Sequence, residues 1–241
     1  MDEFLQEKNR NSLNKLNKIS KTSLILFNLF GEFFINKDYN KFKNFFEILE
    51  KNTTLLLEKN QIVDFLQGFS QRIDLIQKNS KDFEILKNEF IFKFSHKKIE
   101  NLFLLWRKFI EDENNYFPSS KEILSIYAYK LRTLILELKR ALIFCNFIEA
   151  NKYGEKISLS LSELSSLFEN KNINNFAKKM EKFYLILGLR ENLSFLKQKF
   201  ATIKNSNLDF ELRDANFKIN KKREKYIENL GQISRYLKIY Y

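Results

Sequence analysis

Side chains that perform catalysis or hold metal ions are scarce in this sequence. The chain has one histidine, His96, and one cysteine, Cys145. A nucleophile–histidine pair, or a metal site built from histidine or cysteine, needs more of these residues than the chain contains. The carboxylates in the acidic run from Glu111 to Glu113 lack the apolar surroundings that would raise a pKa into a catalytic range. The sequence therefore predicts a chain that is not an enzyme by itself, with no cofactor and no metal.

The two rare residues have ordinary structural roles in this interpretation. Cys145 has no partner for a disulfide and lies in the apolar run ALIFCNF, so we expect a small core residue. We expect His96 to be a surface or edge residue.

A strong positive charge is the clearest indication of a partner. The net charge is +12, which favours nucleic acid, an anionic membrane surface or an acidic protein, unless it is only a solvated basic face. The final segment interleaves basic residues with tyrosines, but glutamates interrupt the charge and no nucleic-acid module surrounds it. We therefore expect no specific nucleic-acid binding. These residues are Lys221, Lys222, Arg223 and Lys225, with Tyr226, Tyr236, Tyr240 and Tyr241.

Neither a signal peptide nor a membrane span is apparent in the sequence. No charged segment followed by an apolar one opens the chain, and no apolar run reaches the length of a spanning helix. The sequence predicts a cytoplasmic protein.

Long helices are predicted at both ends of the chain. Five glycines and one proline favour helices over a turn-rich β fold. A four-three spacing from Leu5 to Phe33 predicts a first helix whose stripe is mostly apolar from Leu16 onward. The last segment carries apolar residues seven apart, typical of a coiled-coil seam. They are Leu212, Ile219, Tyr226, Ile233 and Tyr240, with Ala215, Leu230 and Leu237 between them.

The middle of the chain predicts strands. Three phenylalanines alternate with Glu89, Ile91, Lys93 and Ser95 in residues 88–96, and isoleucine and leucine alternate with serine in residues 155–164. Residues 122–130 and 53–57 are further candidate strands. Strand, helix and strand in succession indicate an α/β layer.

The predicted fold is mostly α with a small α/β insert. An antiparallel coiled coil of the N- and C-terminal helices flanks a Rossmann-like central domain. The domains are 1–52 for the first shaft helix, 53–170 for the insert and 171–241 for the last shaft helix.

Two short segments carry a family resemblance. Residues 219–230 read INKKREKYIENL, and Lys18-Ile19-Ser20 opens a similar stretch near the start. They resemble Y-N-x-x-R-Q-x-x-I-T-x-E and K-I-T-x-A-M-x-M-V-A, motifs of the γ subunit, the central shaft of rotary F-type ATPases. Asn220, Arg223 and Ile227 match, while the Tyr, Gln, Thr and final Glu positions differ. Residues 200–207 are weakly similar to a third motif, and the S-D-x-G-L-C-G-G-x-N segment of the family's insert is absent.

The resemblance implies a rotor that couples ATP hydrolysis or synthesis in an α/β ring to rotation. The implied partners are catalytic α- and β-like ATPase subunits and other stalk subunits, at the inner face of the cell membrane. The motor could belong to a divergent cluster linked to gliding motility. Ring contacts are expected at Arg10, Lys18, Asn220, Lys222, Arg223 and Glu224. A bearing tip is expected at Tyr236, Leu237, Ile239, Tyr240 and Tyr241.

The alternative is a non-enzymatic helical scaffold or adaptor that binds protein partners through its seam. A seam without any rotary role explains the seven-residue spacing equally well.

Overall fold

The computed structural model describes residues 10–31, 37–68, 73–94, 96–111, 118–165, 168, 171–201 and 206–241. These residues form eight α-helices: α1 (Arg10–Phe30), α2 (Lys37–Gln67), α3 (Ile73–Lys93), α4 (His96–Glu111), α5 (Ser120–Ile143), α6 (Phe147–Leu164), α7 (Lys171–Lys199) and α8 (Ser206–Leu237), followed by a 3₁₀ turn at Lys238–Tyr240. The chain divides into a first unit, Met1–Phe117, and a second unit, Pro118–Tyr241.

In the first unit, α2 is the central helix. Helix α1 runs antiparallel to it, because Arg10 pairs with Asp64 near one end and Tyr39 donates a hydrogen bond to the carbonyl of Phe27 near the other. Helices α3 and α4 also pack on α2. An aromatic cluster joins α1, α2 and α4. Its members are Phe27, Tyr39, Phe42 and Phe109, with Phe46 and Trp106 at its edge.

A buried polar contact fixes how α1 lies on α2. The Asn17 amide donates to the hydroxyls of Thr53 and Thr54, at 2.9 and 3.0 Å. Both Asn17 and Thr53 are buried. Because a buried amide without a partner would be costly, sliding α1 along α2 is disfavoured.

The second unit is an up-down-up-down four-helix bundle. Each helix packs on the next, and α8 closes the ring against α5. Antiparallel pairing of α5 and α8 is shown by Arg132, whose Nε lies 3.2 Å from Ser234 Oγ, and by Tyr129, whose ring meets that of Tyr241. The first bundle helix begins with a capping box, in which Ser119 and Glu122 satisfy each other's backbone N–H.

The predicted strands are wrong, and no strand occurs in the described ranges. Within 88–96, Phe90 and Phe94 are buried while Phe92 is 82% exposed, which is helical rather than alternating burial. Residues 155–164 lie in α6, 122–130 in α5 and 53–57 in α2. Consecutive α6 residues from Ile157 to Leu161 are buried because small serines, such as Ser160, let neighbouring helices approach on both sides.

The predicted fold, a Rossmann-like insert flanked by a coiled coil of the terminal helices, is therefore wrong as well. Residues 53–170 are helical almost throughout their described part, and the boundary between the units falls inside them. Helix α1 packs against α2, and α8 packs against α7 and α5. The seven-residue stripe of α8 faces the core of its own bundle, since Ile219, Leu230 and Leu237 are fully buried.

Candidate functional site

The residues with catalytic potential are dispersed. Cys145 is exposed, so its predicted core placement is wrong. It lies two residues after the end of α5, with φ of 55°, and contacts the Arg223 guanidinium. His96 begins α4, Glu111 pairs with Arg107, and the rest of the acidic run lies outside the described residues. Within the described ranges, no group of three His, Cys, Asp or Glu side chains could hold a metal ion.

Helices α7 and α8 are fixed against each other by an aromatic stack. The rings of Phe183 and Tyr226 lie 3.9 Å apart between centroids, with planes at 20°. The Tyr226 hydroxyl donates to the backbone carbonyl of Lys179 at 3.3 Å. Burial raises the pKa of Tyr226. These contacts place the middle of α8 beside the first half of α7.

Six lysines lie at this level and form what we call the α7–α8 basic surface. All six side chains are exposed, and none makes an ion pair with the part of the chain that the structure describes. Farther along the same helices, by contrast, Lys197 pairs with Asp209 at 2.6 Å and holds the pKa of that carboxyl below its usual range. The six are Lys178, Lys179 and Lys182 on α7, and Lys221, Lys222 and Lys225 on α8.

A groove borders this surface. Its volume is about 130 Å³, and its lining comes from four residues of each helix. These are Asn172, Asn175, Phe176 and Lys179 from α7, and Asn229, Gln232, Ile233 and Tyr236 from α8. The lining contains one cation, four amides and no carboxylate.

Three side-chain amides of the groove are available to bond a ligand. Asn175, Asn229 and Gln232 make no side-chain hydrogen bond to the described residues. Each amide offers two N–H donors, and Lys179 offers three more. The apolar part of the lining comes from Tyr236, which is 37% exposed, and from the nearly buried Phe176 and Ile233. The arrangement suits a small anionic group with a short apolar stem.

The predicted ring contacts are placed as follows. Arg10 is exposed and paired with Asp64 in the first unit, where Lys18 is also exposed. In the second unit Asn220, Lys222 and Glu224 are exposed, and Arg223 is half-buried against Cys145.

The predicted bearing tip largely packs on its own bundle. Leu237 is fully buried, Tyr240 meets the ring of Phe168, and Tyr241 meets that of Tyr129. Tyr236 is 37% exposed and Ile239 is 76% exposed. The apolar residues at the end of the sequence therefore pack against α5 of the same bundle.

Comparisons with protein-family models, curated proteins and solved structures gave no match for this chain. No described helix is both long and apolar enough to cross a membrane.

The groove was missed by sequence reasoning. The chain is rich in asparagine, so a polar amide on an exposed helix face does not by itself indicate a binding site. The amides concerned are Asn172, Asn175, Asn229 and Gln232. One signal was present: amides recur three apart on each helix, and residues three apart share a face. Only the pairing of α7 with α8 brings the two sets together.

Proposed function

We propose that the chain is a non-enzymatic helical scaffold that binds an acidic segment of a protein partner at the α7–α8 basic surface. The observation that carries this proposal is a set of six exposed lysines without ion pairs, bordering a groove without a carboxylate. Cations that a protein does not neutralise internally are available to neutralise a partner.

An acidic protein fits this surface better than nucleic acid does. Phe183 occupies one face of the Tyr226 ring, so less of that ring is left to stack on a base. Glu181, Glu224 and Glu228 lie exposed in the same stretches of helix. A peptide can place neutral or basic side chains opposite these carboxylates, whereas a nucleic-acid backbone carries a charge at every nucleotide.

The charges predict modest, salt-sensitive affinity. An exposed ion pair contributes roughly 0.2–1 kcal/mol, so six pairs give at most about 6 kcal/mol. That free energy corresponds to a Kd on the order of tens of micromolar at low salt. A natural partner would add apolar contacts to reach tighter binding.

Fluorescence anisotropy with the full chain tests which class of partner binds. The probes are a labelled oligoglutamate peptide with blocked ends, a DNA duplex of equal net charge and phosphatidylserine vesicles, each titrated at low and physiological salt. We expect the peptide to bind most tightly and to weaken with salt. Tighter binding of the duplex or the vesicles, or no binding of the peptide at low salt, would overturn the proposal.

The rotor function is a second proposal, carried by the sequence match at Asn220, Arg223 and Ile227. In its favour, Asn220, Lys222 and Glu224 are exposed, as ring contacts would need to be. It ranks lower because α8 packs its apolar stripe on α7 and α5 of its own unit, and because the described part of residues 53–170 holds helices where the shaft family has an α/β insert. Its partners would be catalytic α- and β-like subunits at the cytoplasmic face of the membrane. Purifying the tagged chain from its native cells decides it, because a shaft must carry nucleoside-triphosphatase subunits with it.

A further inference from the structure

We propose that the groove between α7 and α8 receives the side chain of a single glutamate from the acidic partner. This inference rests on the proposed function and names the contact that gives the surface its specificity. Lysines on an open surface attract any polyanion, whereas a shaped groove can distinguish one acidic side chain from another.

The size of the groove limits its occupant to about one side chain. Its volume of about 130 Å³ is well below the roughly 300–1,000 Å³ of sites that hold whole small molecules. A nucleotide or a sugar chain would extend well outside it. A carboxylate on two methylenes fits the space.

The lining selects an anion. Lys179 is the one charged residue among the eight that line the groove. Asn175 and Asn229 approach from opposite helices and can both point N–H groups at a carboxylate, which accepts hydrogen bonds only. Hydrogen bonds to a charged acceptor are shorter and stronger than those between neutral groups. An amine or a guanidinium would find no carboxylate to pair with.

The apolar part of the lining favours glutamate over aspartate. Tyr236 is 37% exposed and lines the groove together with the nearly buried Phe176 and Ile233. The second methylene of glutamate reaches this surface, while the shorter aspartate side chain leaves its carboxylate nearer the rim.

Gln232 offers a substitution that changes charge without changing shape. Gln232→Glu places a carboxylate in the groove, so it repels an incoming one. Gln198→Glu is the matched control, because Gln198 is exposed on α7 and does not line the groove. A second variant, Asn175→Ala/Asn229→Ala, removes donors and leaves the net charge unchanged.

The experiment measures binding of blocked oligoglutamate and oligoaspartate to the full chain. We expect the wild type to prefer oligoglutamate by about fivefold to tenfold, and Gln232→Glu to weaken oligoglutamate about tenfold more than Gln198→Glu does. The double alanine variant should lose the preference for glutamate while keeping the salt dependence. Circular dichroism confirms that each variant is folded.

Three results would overturn the inference. If Gln232→Glu binds oligoglutamate like Gln198→Glu, and the double alanine variant binds it like wild type, while Lys222→Glu/Lys225→Glu weakens binding, the glutamate site is wrong and the basic surface stands. If that lysine variant is also without effect, the proposed function fails as well. If wild type binds both blocked peptides equally and gains affinity for a peptide with a free carboxyl terminus, the ligand is a terminal carboxylate.

Discussion

The ring of Phe183 on α7 lies against the ring of Tyr226 on α8, with centroids 3.9 Å apart and planes at 20°. Phe183 is fully buried, so the stack is part of the bundle core, while the lysines around Tyr226 are exposed. The same residue pair therefore supports the fold and sets the positions of the two basic helix faces. Loss of this contact should change both stability and binding.

Substituting Tyr226 should destabilise the second unit, and removing the ring should cost more than removing the hydroxyl alone. Tyr226→Ala removes the stacked ring and should cost about 2–4 kcal/mol of unfolding free energy. Tyr226→Phe removes only the hydrogen bond to Lys179 and should cost about 0.5–1.5 kcal/mol. Urea denaturation measures both, with Tyr129→Phe as a conservative control. Equal costs for Tyr226→Ala and Tyr226→Phe would show that the stack contributes nothing.

The last residues should stabilise the bundle. Tyr240 and Tyr241 pack on Phe168 and Tyr129, and an aromatic pair contributes roughly 0.5–1.5 kcal/mol beyond the area it buries. Deleting residues 238–241 should lower the unfolding free energy by about 1–3 kcal/mol in thermal or urea denaturation. Ile239→Ser is the control and should change it by less than about 0.5 kcal/mol, because that side chain is mostly exposed. An unaltered stability after the deletion would refute this packing role.

The side-chain amide of Asn17 should stabilise the first unit. Asn17→Ala leaves the hydroxyls of Thr53 and Thr54 without their donor and should cost about 1–3 kcal/mol. Asn14→Ala is a matched control, because Asn14 is exposed on the same helix. Chemical denaturation of the two variants compares them directly. If both variants lose the same stability, the buried contact has no special role.

Alkaline pH should destabilise the first unit through Tyr39. Burial raises the pKa of Tyr39 to about 12, compared with about 10 in an unfolded chain. Because the folded state holds this proton more tightly, the stabilisation is complete below pH of about 10 and is lost as the pH rises toward 12. Tyr39→Phe should therefore lose less stability than wild type across this window, measured by urea denaturation at each pH. Lysine deprotonation affects both proteins alike, so a parallel pH dependence would count against the buried hydroxyl.

The sequence allowed the helical majority to be predicted, and physical reasons explain where it misled. Scarce glycine and proline, and the seven-residue stripe from Leu212 to Tyr240, led correctly to long helices. The alternation in 155–164 was misleading because Ser158 and Ser160 are buried along with the leucines. A seven-residue apolar stripe indicates that a helix packs against other helices, but it does not indicate which ones. The partners of α8 are α7 and α5, helices of its own unit, so the match of its stripe to one near the other end of the chain did not identify a partner.

The candidate site could be predicted only in part. The basic residues around Lys222 were apparent from their density in the last segment. The sequence did not show that Lys178, Lys179 and Lys182 belong to the same surface, because this depends on the packing of α7 beside α8 through the Phe183 contact. The groove depends on the same pairing, because each helix contributes half of its lining.

Charge reversal with a matched control tests most directly whether the α7–α8 basic surface binds an acidic partner. Lys222→Glu/Lys225→Glu reverses two lysines of that surface, and Lys78→Glu/Lys81→Glu makes the same change of net charge on exposed positions of α3. By anisotropy with labelled oligoglutamate at low salt, the first variant should bind at least about tenfold more weakly and with a shallower salt dependence, and the second within about twofold of wild type. If the two variants lose affinity equally, the peptide responds only to net charge, and the α7–α8 basic surface is not a binding site.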